Sequence, residues 1–415
     1  MKKKKFLTLA LGLMMILTSA ACQTGGQESD ETTTAAATTA AAATKAETAS
    51  AETSEEVTIA ETAEVEASAA VSGGTIKADI FWYTFSDTYL TSVRNSMEEQ
   101  LKAVPNINYT MHDCEEDQAK QTDMIETAIT QGTDLLIVNV VTTGSEEAAQ
   151  NIVNLAQEND LPIIFFNREV SDTVVNSYEN ACFVGTDADE AGYMQGKAIA
   201  EFLLADKNQE DGKSIYDLDN DNEIKYIMFR GEHGNAEAFG RTKYSVEEAN
   251  RLLEDSGMKL VPSPANETGT QYEDDGISNF FLYGNWSATT AAELMRTALS
   301  AYALTDGKIE LIIANNDDQA IGAIEAMNED GYNTGDDSAL GYIPVFGVDA
   351  TTVAQEALSA GKMTGTILQD GPAMASCMIG LAQNIADGNE LLSNTSSYNI
   401  DDGVNKIRIA YAIVT

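Results

Sequence analysis

The chain has 415 residues, a formal net charge of −42 and a hydrophobic fraction of 43%. This excess of negative charge argues against nucleic acid or an anionic membrane surface as a partner, because both are polyanions. Apart from Cys22, the cysteines are Cys114, Cys182 and Cys377, whose spacing fits neither a disulfide framework nor a zinc motif, so we expect small buried residues.

The chain begins with "MKKKKFLTLALGLMMILTSAAC", which is typical of a secretory signal peptide over residues 1–22. Cys22 follows two alanines, which predicts a lipobox and a diacylglycerol on Cys22, although Ser19 stands where leucine is usual. The lipid would anchor the protein to the outer face of the cell membrane. The alternative is ordinary cleavage that releases a soluble protein.

Residues 23–75 consist mainly of Ala, Thr, Ser and Glu. A segment with so few large apolar side chains cannot bury enough surface to offset the entropy of ordering it. We therefore predict a disordered acidic tether that holds a globular body away from the lipid anchor.

The remaining ~340 residues exceed one typical hydrophobic core, so two lobes are expected. Short apolar runs alternate with amphipathic segments of helical length; the runs are "DIFWYTF", "DLLIVNVV", "PIIFFN", "ACFVG", "IKYIMFRG", "IELIIANN", "IPVFGVD" and "GTILQD". Continuous apolar runs flanked by helices indicate parallel strands covered on both faces. The pattern predicts an α/β protein with doubly wound parallel sheets.

Polar side chains follow most of these runs, at the edge of the sheet where doubly wound proteins bind ligands. They are Asp87, Tyr89, Asn167, Asn235, Glu237, Arg241, Asn315, Asn316, Asp317, Asp349, Gln369 and Asp370. Taken singly, such a residue is explained by helix capping or turn formation. Taken together, their carboxylates, amides and guanidinium suit the many hydroxyls of an uncharged sugar. Tyr89 and Trp286 are candidates for stacking on its apolar faces.

At these stretches the sequence resembles the galactose/glucose-binding proteins of bacterial ABC importers, the methyl-galactoside branch of the periplasmic binding protein superfamily. The resemblance runs from about Ala78 to Ile407, and its specific markers are "FFNRE", "ANND" and "PVFGVDA" in this order. It implies two doubly wound parallel-sheet lobes joined by a three-segment hinge, with the sugar in the cleft. The N-terminal lobe is expected over residues 76–184 and 370–405, and the C-terminal lobe over 187–368 and 406–415.

The resemblance also implies a set of ligand-binding positions. They are Asp87, Tyr89, Asn167, Asn235, Glu237, Arg241, Trp286, Asn316, Asp349 and Gln369. In the family, Asp87 would receive the hydroxyls that separate galactose from glucose. Four positions depart from the family pattern, since Asn235 replaces histidine, Glu237 aspartate, Tyr89 phenylalanine and Gln369 asparagine. These changes keep the sugar class and leave the fine specificity open.

The acidic stretch "YDLDNDNEIKY", residues 216–226, resembles the family's calcium loop, which takes a further glutamate from far along the chain. The expected Ca²⁺ ligands are Asp217, Asp219, Asp221, the backbone carbonyl of Glu223, and Glu310. Asn222 can replace the turn glycine, because Asn tolerates positive φ. Lys225 stands where the family supplies an amide oxygen. Either Ca²⁺ binds with water at that position, or the Lys225 ammonium folds inward and neutralises part of the cluster.

These features predict a binding protein that delivers D-galactose, D-glucose or methyl-galactoside to an ABC permease, and no enzymatic activity. His112 and His233 lie in no triad or metal spacing, so we expect surface or packing roles for both. The enzyme to weigh against this prediction is a glycosidase that uses Asp87 and Glu237 as a carboxylate pair. Two non-enzymatic roles also stay open: a sensory component with a membrane partner, and a binder of a different monosaccharide. A monomer is expected from the resemblance alone.

Overall fold

The computed structural model describes residues 73–205, 214–269, 281–336 and 341–415. The predicted signal peptide with Cys22, and the predicted tether up to residue 72, lie outside these residues. The strands are β1 (Ile76–Trp82), β2 (Ile107–Asp113), β3 (Leu135–Val138), β4 (Ile163–Phe166), β5 (Ala181–Gly185), β6 (Glu223–Arg230), β7 (Lys259–Pro262), β8 (Leu282–Tyr283), β9 (Leu311–Ala314), β10 (Val345–Phe346), β11 (Thr366–Gln369), β12 (Asn399–Ile400), β13 (Lys406–Arg408) and β14 (Tyr411–Val414). The α-helices are α1 (Thr88–Leu101), α2 (Gln118–Thr130), α3 (Glu146–Glu158), α4 (Asp172–Asn176), α5 (Ala188–Ala205), α6 (Ala236–Leu253), α7 (Ala288–Ala301), α8 (Asp317–Glu329), α9 (Thr352–Ser359) and α10 (Gly371–Ala386). In these ranges no helix is both long and apolar enough to cross a membrane.

The N-terminal lobe is built on a seven-stranded sheet in the order β12-β13-β5-β4-β3-β1-β2. Every neighbouring pair is parallel except β12 with β13. All residues of β3 and β4 are buried, as expected for strands covered on both faces. Side chains of α1 and α10, among them Met97, Met374 and Met378, share one core with one face of the sheet. The α/β fold class predicted from the apolar runs is confirmed.

The C-terminal lobe has the same plan on a smaller scale. Its main sheet runs β10-β9-β6-β7 in parallel, and β8 pairs with the end of β6. The strands β11 and β14 form an antiparallel pair, and single bridges from Phe346 to Gly365 and from Asp349 to Leu368 attach it to the β10 side. Each of the eight apolar runs contains a strand of one lobe or the other.

The chain passes between the lobes three times: between β5 and α5, between β11 and α10, and between β13 and β14. The third crossing falls later than the sequence predicted, because β13 pairs with β5 and so completes the N-terminal sheet. Residues 406–408 therefore belong to the N-terminal lobe and not to the C-terminal lobe. The stretch "KIRIAYAIV" is apolar at nearly every second position, so nothing in it marks where one strand ends and the next begins.

Helices α5 and α6 pack in unusually close contact, which places α6 against the crossings. A Cβ on Gly192 would lie 2.4 Å from the Gly240 carbonyl oxygen, and one on Gly196 would lie 2.5 Å from the Ser245 carbonyl oxygen. Both contacts are far inside van der Waals distance, so only glycine fits at these positions. The polar side chains at the start of α6 are thereby held at the mouth of the first crossing.

Candidate ligand-binding site

All the ligand-binding positions expected from the sequence line one cavity between the lobes. The N-terminal lobe contributes Tyr83, Asp87, Tyr89, Leu90, Asn167 and Arg168, and the C-terminal lobe contributes Asn235, Glu237, Arg241, Trp286, Asn316, Asp349 and Gln369. The structure thus brings together side chains that are up to 286 residues apart in sequence, from Tyr83 to Gln369.

Several of these side chains also cap helices, so the capping and the cavity-lining interpretations hold together. Asp87 accepts the Leu90 N–H at 2.7 Å at the start of α1. Asn235 caps α6 and Asn316 caps α8 in the same manner. Asn316 also donates to the Trp286 carbonyl oxygen at 3.1 Å, which fixes the loop that carries this ring. Capping leaves part of each polar group facing the cavity in a defined orientation.

On the N-terminal side, Asp87 is held between the helix and a tyrosine. Its second carboxylate oxygen accepts the Tyr83 hydroxyl at 2.9 Å. Burial, followed by the Asp87 charge, raises the pKa of Tyr83, so the phenol stays protonated and donates. The guanidinium of Arg168 lies 4.2 Å from the centre of the Tyr83 ring. Tyr83 is therefore covered on one face and acts as a positioning group for Asp87.

On the C-terminal side, Arg241 is the central buried cation. It donates to the Asn315 carbonyl oxygen at 2.7 Å and to the Gln369 amide oxygen at 3.2 Å, and it pairs with Glu237. Its guanidinium also lies 3.6 Å from Asp349 and 5.7 Å from the centre of the Trp286 ring. Burial opposes the charge, but the surrounding acidic and phenolic groups outweigh it and raise the pKa of Arg241. The residue stays charged at any physiological pH.

The Glu237 carboxylate is directed towards the hinge. It accepts hydrogen bonds from Thr186 at 3.0 Å, from Tyr411 at 3.0 Å and from Arg241. Gln369 completes the network by donating to the Thr186 hydroxyl at 3.1 Å. Thr186, Gln369 and Tyr411 adjoin the three crossings, so this network links the floor of the cavity to every segment of the hinge.

Asp349 faces the cavity from a strained backbone. Its φ is 118°, a conformation that L-residues rarely adopt. Burial raises the pKa of Asp349 well above its usual value, because Arg241 offsets only part of the desolvation. Nearby, burial raises the pKa of Asp317 to about 7, against hydrogen bonds from Thr366 and Thr351. A ligand hydroxyl donated to Asp349 would stabilise its charged form.

Two residues that line the cavity carry buried polar atoms without a partner among the described residues. Among the described residues, neither the Tyr89 hydroxyl nor the Arg241 Nε–H has a hydrogen-bond partner, although both atoms are buried. An unmade hydrogen bond at a buried group costs about 1–3 kcal/mol. A ligand that carries hydroxyls would satisfy both groups, and an apolar ligand would satisfy neither.

Contacts between the lobes close the cleft around this cavity. Arg168 forms an ion pair with Glu232 at 2.5 Å across the cleft, and its remaining donors bind the carbonyl oxygens of Val140 and Val141. Thr88 donates to Asp318 at 2.7 Å at a second point of contact. The described arrangement is therefore a closed one, in which entry of a ligand requires the lobes to separate.

The predicted calcium ligands come together at the opposite end of β6. Asp217, Asp219 and Glu310 have carboxylate oxygens within 4.8 Å of one another. Asn222 has φ 65°, as its role as a glycine substitute requires. Burial raises the pKa of Glu310 to about 7, against backbone N–H groups that favour its charged form.

Lys225 is folded inward among these acidic groups. Burial opposes its charge, but hydrogen bonds to Asp221 and Asp219 overcome the effect of burial and raise the pKa of Lys225. The oxygens of the loop therefore surround an ammonium and do not fit a metal at the same place, and bound calcium stays a prediction.

The histidines and cysteines take the surface and packing roles expected of them, and His233 is exposed. His112 lies 2.8 Å from Asp79 and stacks on Phe81, while the backbone N–H of His233 donates to the Tyr283 hydroxyl at 3.0 Å. The cysteines Cys114, Cys182 and Cys377 are buried and unpaired.

Sequence reasoning missed several residues of the site: Tyr83, Arg168, Thr186 and Tyr411. Arg168 directly follows Asn167 in the marker "FFNRE", and Thr186 directly follows the apolar run "ACFVG", so the strand-end rule would have found both. Tyr411 lies in an apolar strand without any polar signal, and only the folded hinge reveals its role.

Two lobes of this topology around a polar cleft have the plan of a two-lobed solute-binding protein. Residues 78–390 match the family of the "Periplasmic binding protein domain", and the chain belongs to this family. It is an extracytoplasmic binding protein and not an enzyme.

The relatives agree with this assignment. The chain is 30% identical to the D-galactose/methyl-galactoside binding periplasmic protein MglB of Haemophilus influenzae over 79% of this chain and 86% of the relative. It is 23% identical to the D-xylose-binding periplasmic protein of Escherichia coli over 67% of this chain and 68% of the relative.

Solved structures show the same fold. An ABC transporter solute binding protein from Bacillus halodurans with bound myo-inositol gives a TM-score of 0.60 at 24% identity, covering 83% of this chain and 95% of that one. A solute binding protein from Clostridium phytofermentans with bound β-D-glucose gives 0.59 at 19% identity, covering 81% of this chain and 93% of that one.

Proposed function

We propose that the protein captures D-galactose, D-glucose or a methyl-galactoside in the interlobe cavity and delivers it to an ABC permease. The observation that carries this proposal is the unpartnered pair of buried donors, Tyr89 and Arg241, in a cavity that also holds Asp87 and Asp349. Donors and acceptors of this kind on opposite sides of one cavity suit a ring with hydroxyls around its rim.

The charge of the cavity favours a neutral ligand. Glu237 is paired with Arg241, and Arg168 is paired with Glu232. The carboxylates left for a ligand are Asp87 and Asp349, which accept hydrogen bonds from hydroxyls and would repel an anion. Trp286 at the cavity wall supplies a flat apolar face for the C–H side of a pyranose.

The relative from Haemophilus influenzae is named as a D-galactose/methyl-galactoside binding protein, which supports the hexose assignment. The departures at Tyr89, Glu237 and Gln369 act on selectivity. Each departure lengthens the family side chain or adds a hydroxyl. Polar atoms of Glu237 and Gln369 form hydrogen bonds at the hinge, so fewer of them are left to contact the ligand.

Titration calorimetry with a panel of monosaccharides tests the proposal. We expect saturable heat with D-galactose or D-glucose at one site per chain, and weaker or no heat with D-xylose, D-ribose and myo-inositol. Tight binding of ribose or xylose, together with no heat from either hexose, would contradict the proposed ligand class and leave the transport role in place. No heat with any polyol would contradict the proposed function as a whole.

We further propose that Cys22 carries a lipid that holds the protein at the outer face of the membrane. Cys22 lies outside the described residues, and the proposal rests on the signal sequence and the two alanines before it. Partition into a detergent phase tests it, with Cys22→Ala as the comparison. If both forms stay in the aqueous phase, the protein is secreted without an anchor.

A further inference from the structure

Lys225 lies at the centre of the acidic loop between residues 216 and 226. Its ammonium is 3.0 Å from an Asp219 oxygen, 2.9 Å from an Asp221 oxygen and 3.2 Å from the Glu223 carbonyl oxygen. It is also 3.7 Å from Glu310, and only 8% of its side chain is exposed. An ammonium has three protons to donate, and each finds an acceptor here.

The groups around Lys225 are those that a divalent cation would need. Ca²⁺ requires six to eight oxygens at about 2.3–2.6 Å. The Asp219, Asp221 and Glu223 oxygens that would supply part of this shell converge on the ammonium at hydrogen-bond distance instead. A metal ion and the Lys225 ammonium therefore compete for one position, and the ammonium holds it.

Backbone N–H groups account for the remaining carboxylate oxygens. Asp217 accepts the N–H groups of Asp221 and Asn222 at 3.0 and 2.9 Å. Glu310 accepts those of Leu218 and Lys225 at 2.7 and 2.8 Å. These bonds stabilise the negative charges without a second cation, because hydrogen bonds to an ionised acceptor are the stronger kind.

The backbone of Lys225 is held in place by the sheet. Its backbone N–H binds Glu310, and its carbonyl oxygen accepts the Glu310 N–H at 2.8 Å. Lys225 also pairs with Val261 of the neighbouring strand β7. The ammonium cannot leave the loop by a shift of the backbone, so release would require the side chain to rotate out to solvent and abandon three hydrogen bonds.

We propose that Lys225 is the resident cation of this loop, so that the loop is ordered without a divalent metal and the wild-type protein binds no calcium there. This proposal concerns the loop and does not depend on the identity of the ligand in the cleft.

The test compares three proteins in thermal melts with calcium chloride and with a chelator: wild type, Lys225→Gln and Lys259→Gln. Gln places an amide oxygen where the Lys225 ammonium stands and removes the charge. Lys259 forms an exposed ion pair with Glu223, so its replacement removes a neighbouring charge without opening the central position.

We expect the wild-type melting temperature to change by less than ~1 °C between calcium and chelator, and the same for Lys259→Gln. Lys225→Gln should melt lower in chelator and regain roughly 3 °C or more in saturating calcium, since a ligand bound only to the folded state stabilises it by mass action. Calorimetric titration should show about one site for calcium in Lys225→Gln and none in wild type.

Two results would overturn the proposal. One is a wild-type protein whose melting temperature falls in chelator or that takes up calcium in the titration. The other is a folded Lys225→Gln protein whose melting temperature does not respond to calcium and that takes up none in the titration. The lysine would then not stand at a cation position. If Lys225→Gln does not fold, the wild-type titration decides alone, with uptake of calcium against the proposal and its absence in favour.

Discussion

Gly231 offers a way to disturb the cavity without touching any polar group in it. The residue follows β6 directly, and a Cβ at this position would lie 2.3 Å from the Trp286 ring. Carbon atoms in contact normally lie about 3.5–4.0 Å apart, so Gly231→Ala must push the ring away by roughly 1.2 Å or more. Gly231 has no positive φ in the structure, so the strain comes from the ring and not from the backbone.

The displaced ring would lose its fit to the face of a sugar. Removing about 50 Å² of apolar contact costs about 1.2 kcal/mol, and the loss of ring geometry about 0.5–1.5 kcal/mol more. We therefore expect Gly231→Ala to weaken hexose binding by roughly 20- to 100-fold. The melting temperature should change little by comparison, because Trp286 lines the cavity and does not belong to either lobe core.

Titration calorimetry on Gly231→Ala and on Gly380→Ala measures this effect. Gly380 lies in α10, where an added Cβ meets nothing within 4 Å, so this variant makes the same chemical change without a clash. We expect wild-type affinity for Gly380→Ala and a slightly higher melting temperature. Wild-type affinity in Gly231→Ala would show that Trp286 does not contact the ligand, and the reasoning about the cavity wall would fail.

Three further outcomes are expected. Asp87→Ala should abolish measurable hexose binding and lower the free energy of unfolding by only ~1 kcal/mol, the usual cost of a lost helix cap. Asp117→Ala removes the equivalent cap of α2, far from the cavity, and should lower stability without changing hexose binding. Retained affinity in Asp87→Ala would refute the placement of the ligand. Glu232→Gln should speed ligand dissociation about 5- to 10-fold by stopped-flow, because the ion pair with Arg168 exists only when the cleft is closed; an unchanged rate would rule out that role. The melting temperature should rise as the pH falls from about 8 to about 5. Burial raises the pKa of Asp317 to about 7, so in this range the folded protein binds a proton that Asp317 of the unfolded chain has released. Asp317→Asn should flatten the dependence of melting temperature on pH, and an equal slope in both proteins would contradict the assignment.

The sequence predicted the buried parts of the fold well and its edges poorly. Strands such as β3, β4 and β9 are continuous apolar runs because helices cover both faces, and this pattern is visible without a structure. Strand β2 reads "INYTMHD" and exposes several residues, so no continuous apolar run marks it in the sequence. The two-residue strands β8 and β12 are too short to leave any period.

The cavity was predictable for a physical reason. Polar residues at the carboxyl ends of parallel strands converge wherever the lobes meet, so Asp87, Asn167 and Asp349 could be named from position alone. What position could not show is where each polar atom points. Glu237 lines the cavity, and its carboxylate also binds Thr186, Arg241 and Tyr411 at the hinge.

The strand β13 has a consequence for how the protein is made. It completes the N-terminal sheet beside β5, although Arg408 of β13 follows its partner Gly185 by 223 residues in the order of synthesis. The C-terminal lobe likewise requires β14, which lies at the end of the chain and pairs with β11. Contacts between such distant segments form slowly, and neither sheet can close until almost the whole chain has been translated. We therefore expect both lobes to reach their final form together, late in synthesis or after it.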